Sequence, residues 1–117
     1  MAPFSNEIAG VFTAPPPPGP AAPVLISVTG DGNPATALVQ LPTLALDGTP
    51  LTVMSSVSVF YKTSSMIGST PAAEQAAGTP FISTPVTPAQ AGQTVEVDIP
   101  GLVQDGKTEY FFDADCE

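Results

Sequence analysis

Four carboxylates, Glu109, Asp113, Asp115 and Glu117, fall on odd-numbered positions near the end of the sequence, so an extended strand would place them on one face. Such a row can attract a divalent cation, but its spacing matches no calcium-binding loop. Paired carboxylates such as Asp113 and Asp115 do acid–base work only when one is held in a pocket that raises its pKa, and strand alternation turns both toward solvent. Ser64 and Ser65 have no histidine to activate them, because the chain contains none, and neither Lys62 nor Lys107 lies in a serine–lysine motif. The single cysteine, Cys116, rules out an internal disulfide and a cysteine–histidine zinc site. It reads as a small buried hydrophobe, with an intermolecular disulfide as the lesser alternative. Gly-rich phosphate loops are absent. No catalytic residue, cofactor or metal is expected, and the chain is read as a non-enzyme.

The charge balance narrows the partners. Lys and Arg total 2 against 11 Asp and Glu, for a net charge of -9 at pH 7. Affinity for nucleic acid comes largely from cationic neutralisation of phosphates, and anionic membrane surfaces select for the same chemistry. Neither partner fits. From Glu96 onward seven acids face one base, Lys107, so the last part of the sequence carries an anionic surface. Such a face keeps a domain soluble or meets a cation or a basic partner.

The elements that must position these groups separate into two regions. Residues 1–23, "MAPFSNEIAGVFTAPPPPGPAAP", hold seven of the 15 prolines and form an extended Pro-rich arm. The run 14–23 favours polyproline II and would reach about 30 Å at roughly 3.1 Å per residue. Ahead of it, "EIAGVFT" is apolar enough to seek burial, and Ile8, Val11 and Phe12 are the candidate partner-binding residues. No base precedes Lys62, so no secretory signal is expected and the chain would be made in the cytoplasm. Residues 8–30 are uncharged, but prolines at 15–18, 20 and 23 break any membrane-spanning helix.

Residues 24–117 form the body. Apolar residues there alternate rather than recurring every three or four, which predicts strands over 24–29, 35–41, 56–63, 94–99 and 108–116. The segment 79–87 has prolines that restrict it to an edge strand or loop, and only 71–78 reads as a helical turn or two. Short strands separated by Gly, Pro and Asp turns predict an all-β antiparallel sandwich.

The order of these pieces resembles the fibronectin type III family, within the wider immunoglobulin-like sandwiches, from about Pro20 to Glu117. "PAAPVLISVTGDGNPATALVQLP" is similar to its opening strand pair, "DGTPLTVMSSVSVFYKT" to the loop and third strand, and "VDIPGLVQDGKTEYFFDADCE" to the fifth strand and tyrosine corner. The resemblance implies structural corner roles for Leu102, Gly106 and Tyr110. Leu41 stands where the family commonly has a tryptophan, and the interval from Leu102 to Tyr110 is longer than usual by about two residues.

The resemblance also implies a last strand that is missing here, which would leave residues 108–116 with a row of unpaired backbone groups. Proteins seldom leave such an edge bare. The arm could fill it in cis, a neighbouring subunit or another protein could lend a strand in trans, or charges could keep it solvated; the stiff proline run favours delivery to a neighbour.

These features predict a structural or interaction subunit that docks through its arm into a repetitive assembly, with a virion as the best setting: a capsid decoration, cement or tail-associated protein. The expected partners are copies of itself or a major structural protein of that assembly, at a virion or other extracellular assembly surface. The alternative is a ligand- or carbohydrate-recognition module using exposed aromatics, for which Phe60, Phe81 and Phe111 are candidates, although packing on the second sheet face or under the long connection is the favoured reading of these three.

Overall fold

The computed structural model describes residues 3–10, 17–31 and 33–117. Strands carry the fold among the described residues: β1 (Val24–Gly30), β2 (Ala35–Gln40), β3 (Ser56–Lys62), β4 (Phe81–Pro85), β5 (Thr94–Ile99) and β6 (Phe111–Cys116), with one short α-helix, α1 (Pro71–Ala76), and a single 3-10 turn at Pro88–Gln90. They form two antiparallel three-stranded sheets, ordered β1-β2-β5 and β4-β3-β6. The all-β expectation holds, and the Pro-flanked segment around residue 82 is indeed an edge strand.

One core joins the sheets. Ala37, Val39, Val97 and Ile99 face inward from the first sheet and meet Val57, Val59 and Cys116 of the second, with Leu41, Met54 and Val86 closing the ends. Each fully buried Val, Leu or Ile contributes about 1.5–3 kcal/mol relative to exposure. On β5 the period-two pattern is clean, with Val97 and Ile99 buried while Glu96 and Asp98 stay exposed. Thr36 Oγ1 donates to Asp98 Oδ1 at 3.1 Å across the outer face of that sheet.

Between β1 and β2 the chain reverses through Gly30, whose φ of +100° no side chain adopts comfortably. A Cβ there would sit 3.0 Å from the Pro34 carbonyl oxygen. A register shift between Leu25 and Ser27 leaves Ile26 out of the pairing and bends β1. Ahead of β1, the Ala21 N–H donates to the Leu44 carbonyl and the Leu46 N–H to the Gly19 carbonyl, so the body holds the chain from Gly19 onward.

The sequence pattern failed at β3. Ser58 and Phe60 occupy outward positions yet are buried, as are Val57 and Val59 inward. The connection from Thr63 to Pro80 folds over this outer face and brings Met66, Glu74 and Thr79 into a second, smaller packed layer. Thr70 starts α1 by accepting the Ala73 N–H on its hydroxyl, and Pro71 follows in the first turn, where its missing N–H has no cost.

Candidate functional site

The open edge of β6 is the feature with the most capacity to recognise something. Ser56 and Glu117 exchange both backbone hydrogen bonds, at 3.0 and 2.9 Å. Backbone direction alternates along an antiparallel ladder, so Asp115, Asp113 and Phe111 also turn toward β3 in the observed register. The N–H and C=O groups of Phe112, Ala114 and Cys116 therefore face away from β3. Among the described residues no strand pairs with them.

A groove of about 510 Å³ runs beside this edge. Pro20, Pro23 and Leu25 form one wall, Met66 and Pro71 of the connection form the other, and Phe112, Ala114 and Cys116 line the floor. A smaller hollow of about 250 Å³ continues past Phe112 toward Val28, Leu102 and Tyr110. Both hollows lie between β1 and β6, and both are lined by Phe112.

The polar groups of the groove are acidic. Asp113 and Asp115 stand at successive outward positions of β6, and Glu74 lies in the opposite wall. Glu74 is committed: Lys62 pairs with it, its Oε2 also accepts from Ser69 at 3.1 Å, and its Oε1 accepts from Thr79 at 3.2 Å. The Lys62 bond, followed by those to Ser69 and Thr79, outweighs desolvation and holds its carboxyl below the ordinary value. Asp115 is shifted upward, first by burial and then by the charge of Glu117. Burial also pushes the Cys116 thiol up to about 11, with the Asp115 charge adding to it. Cys116 is buried and lies against Met54 with its Sγ 3.7 Å from the thioether sulfur, so the thiol is a core group at the bottom of the groove.

The residues singled out from sequence fall in three places. Ile8 is 86% exposed, and every residue from Pro3 to Gly10, Phe4 among them, is exposed. Val11 and Phe12 lie outside the described residues. The corner residues gather at the start of β6: the Val103 N–H donates to Tyr110 Oη at 3.1 Å, Leu102 packs partly buried against the core, and Gly106 turns with φ +70°. Asp105 fixes the same corner by accepting the Thr108 and Lys107 N–H groups, which hold its carboxyl below the ordinary value.

Phe60 is only 2% exposed and stacks on Phe81 with ring centroids 4.9 Å apart, so of its two readings the packed one holds. One expectation needs correction. The expected strand 108–116 begins only at Phe111, which leaves Glu109 out of the strand and off the row of Asp113 and Asp115. Among the described residues no three of His, Cys, Asp or Glu converge as a metal site would need, and no helix is long and apolar enough to cross a membrane.

Sequence reasoning missed the groove's second wall. Its signal was there in "SVSVFYK", where Phe60 interrupts an otherwise polar outward face, and in Met66, an apolar residue in a polar connection. No family model matches the chain, and no curated protein or solved structure was found to be similar to it.

Proposed function

We propose that this chain is a non-enzymatic structural or interaction subunit that docks into a larger repetitive assembly through its N-terminal arm. A virion is the setting that fits best, as a capsid decoration, cement or tail-associated protein. The observation that carries the reading is the exposure of Phe4 and Ile8, 102% and 86%, on an extended segment that leaves its own body uncovered. Large apolar side chains held in water in this way are a cost that a partner surface removes, at about 25 cal/mol per Å².

The fold beneath this reading is a fibronectin type III-like sandwich, with six strands among the described residues. What supports it is the strand order β1-β2-β5 against β4-β3-β6, and the hydrogen bond from the Val103 N–H to the Tyr110 hydroxyl, a tyrosine-corner geometry. Leu41, buried in the core, occupies the place that the family commonly gives to tryptophan.

Light scattering and calorimetry on the full chain beside one lacking residues 1–13 test the proposal. The full chain should associate, or bind its assembly partner, while the shortened chain stays a folded monomer with an unchanged melting temperature. If both are monomers and the shortened one melts much lower, the arm completes its own body and the docking role is wrong.

A second reading, a carbohydrate- or surface-recognition module, rests on Phe81 and Phe111, which are 41% and 37% exposed on the two strands flanking β3. Under it, Phe81→Ala and Phe111→Ala abolish binding to a glycan array without lowering stability by more than about 1 kcal/mol.

A further inference from the structure

We infer that the groove along the open edge of β6 takes up a β-strand from a different protein, one in which apolar residues alternate with Lys or Arg. The inference rests on the reading of this chain as an interaction subunit, but not on its arm.

The backbone requirement comes first. Phe112, Ala114 and Cys116 present an uninterrupted set of N–H and C=O groups beside the groove, with no proline among them. A strand laid against them gains main-chain hydrogen bonds whatever its sequence, and its alternate side chains then decide which strand is preferred. Side chains on its inner face would meet Leu25, Phe112 and Cys116, and these must be apolar.

Side chains on the outer face would stand beside Asp113 and Asp115 at cross-strand distances of about 4.5–5.5 Å. No Lys or Arg lines the groove, and the nearby Lys62 is already engaged by Glu74. Opposite charges at those positions attract, and like charges directly opposite repel. Asp115 already has a cost to shed, since burial and the neighbouring Glu117 disfavour its charged form, and an incoming cation offsets both.

The same charges argue against a second copy. If Phe4 and Ile8 of another chain's arm faced inward, Ser5, Glu7 and Ala9 would face outward, and Glu7 would approach the Asp113–Asp115 row. Residues 1–61 contain no Lys or Arg to correct this, and two chains of net charge -9 repel as they approach. A basic strand is instead drawn in by the field of the whole body.

The test uses the full 117-residue chain and four labelled peptides: alternating Val and Lys, alternating Val and Glu, Val and Lys in two blocks, and the chain's own segment 3–10. Fluorescence anisotropy gives affinity between about 50 and about 300 mM salt, and hydrogen exchange reports the Phe112, Ala114 and Cys116 amides. The alternating Val–Lys peptide should bind at least about tenfold tighter than the Val–Glu peptide, since favourable pairs replace like-charge clashes at two positions. It should weaken as salt rises and slow exchange at those three amides. In the Asp113→Asn, Asp115→Asn double variant the preference should vanish while the melting temperature does not fall.

Equal binding by the block peptide would mean that charge alone is being read, with no strand formed, and would overturn the proposal. So would binding that leaves the three amides exchanging freely. Tightest binding by the 3–10 peptide would make a second copy the occupant. None of these results decides whether the arm docks, which the shortened chain tests separately.

Discussion

The two edges of the β4-β3-β6 sheet are built differently. Along β4, the Tyr61 N–H reaches the Pro80 carbonyl and the Val86 N–H reaches the Ser55 carbonyl, both at 3.1 Å. The alternate residues, Phe81, Ser83 and Pro85, therefore face outward, and the last of them has no N–H to offer. A five-residue strand, closed by proline on its solvent side, is a poor template for a further strand. Along β6 all three outward positions keep their donors, and a groove runs beside them. One sheet thus carries a protected edge and a receptive one, and the difference lies in which backbone groups each leaves unpaired among the described residues.

Both edges depend on β3, and the largest way to break the comparison is through Phe60. Its ring stacks on Phe81 of β4 and lies in register with Asp113 of β6, under the connection that buries Met66. Phe60→Ala should cost about 3–5 kcal/mol in urea unfolding, because the outer layer cannot close over the space. A loss below about 1 kcal/mol would mean that the layer rests on the sheet without stabilising it.

A pair of proline substitutions sharpens the difference between the two backbone directions of β6. Asp113→Pro removes an N–H that bonds β3, whereas Ala114→Pro removes one that faces the groove. Both strain the strand, but only the first leaves a ladder carbonyl without its partner. It should be the more destabilising by about 1–3 kcal/mol, read from urea midpoints. The reverse order would show that the outward set is Phe111, Asp113 and Asp115, and would move the receptive backbone off the groove.

Much of this was legible in the sequence. Alternation in "ALVQL" and "TVEVDI" marked β2 and β5 because one face of that sheet meets the core and the other meets water. The prolines at 80 and 85 restricted that segment to an edge strand or a loop, for the reason that also protects the strand it forms. Alternation was less informative at β3, whose two faces are both covered, so that for Phe60 it left packing under the connection and display to a ligand both open. The groove was less legible still. Its floor, Phe112, Ala114 and Cys116, was visible as an inward face, but its walls come from Pro20–Leu25 and Met66–Pro71, segments far apart in the chain and without strand pattern. Periodicity reports what a segment does with its own two faces and carries no record of what loops fold over it.

The acids on the two sides of the groove should respond to pH with opposite signs. Glu74, held below its ordinary pKa by Lys62, Ser69 and Thr79, contributes stability that is fully present above the unfolded value and is lost as pH falls through the folded one. The melting temperature should therefore drop on acidification below about pH 5, and Glu74→Gln should flatten that limb while lowering stability at neutral pH. An acid limb unchanged in Glu74→Gln would show that the ion pair under the connection contributes nothing net.

Asp115 gives the smallest effect and the most specific one. Its folded pKa is raised, so the folded state binds a proton more tightly than the unfolded chain does, and the charge it carries at neutral pH works against the fold. Stability from this group is gained as pH falls through the raised value, the reverse of Glu74. Asp115→Asn should therefore raise the melting temperature slightly at pH 7 and leave it unchanged near pH 3, where the aspartate is already neutral in both states. Glu117→Gln should give a weaker version of the same shift, because burial is the larger cause and the Glu117 charge the smaller. Equal gains at both pH values would point to packing in place of charge, and the acidic edge of β6 would lose its claim to be electrostatically unsatisfied.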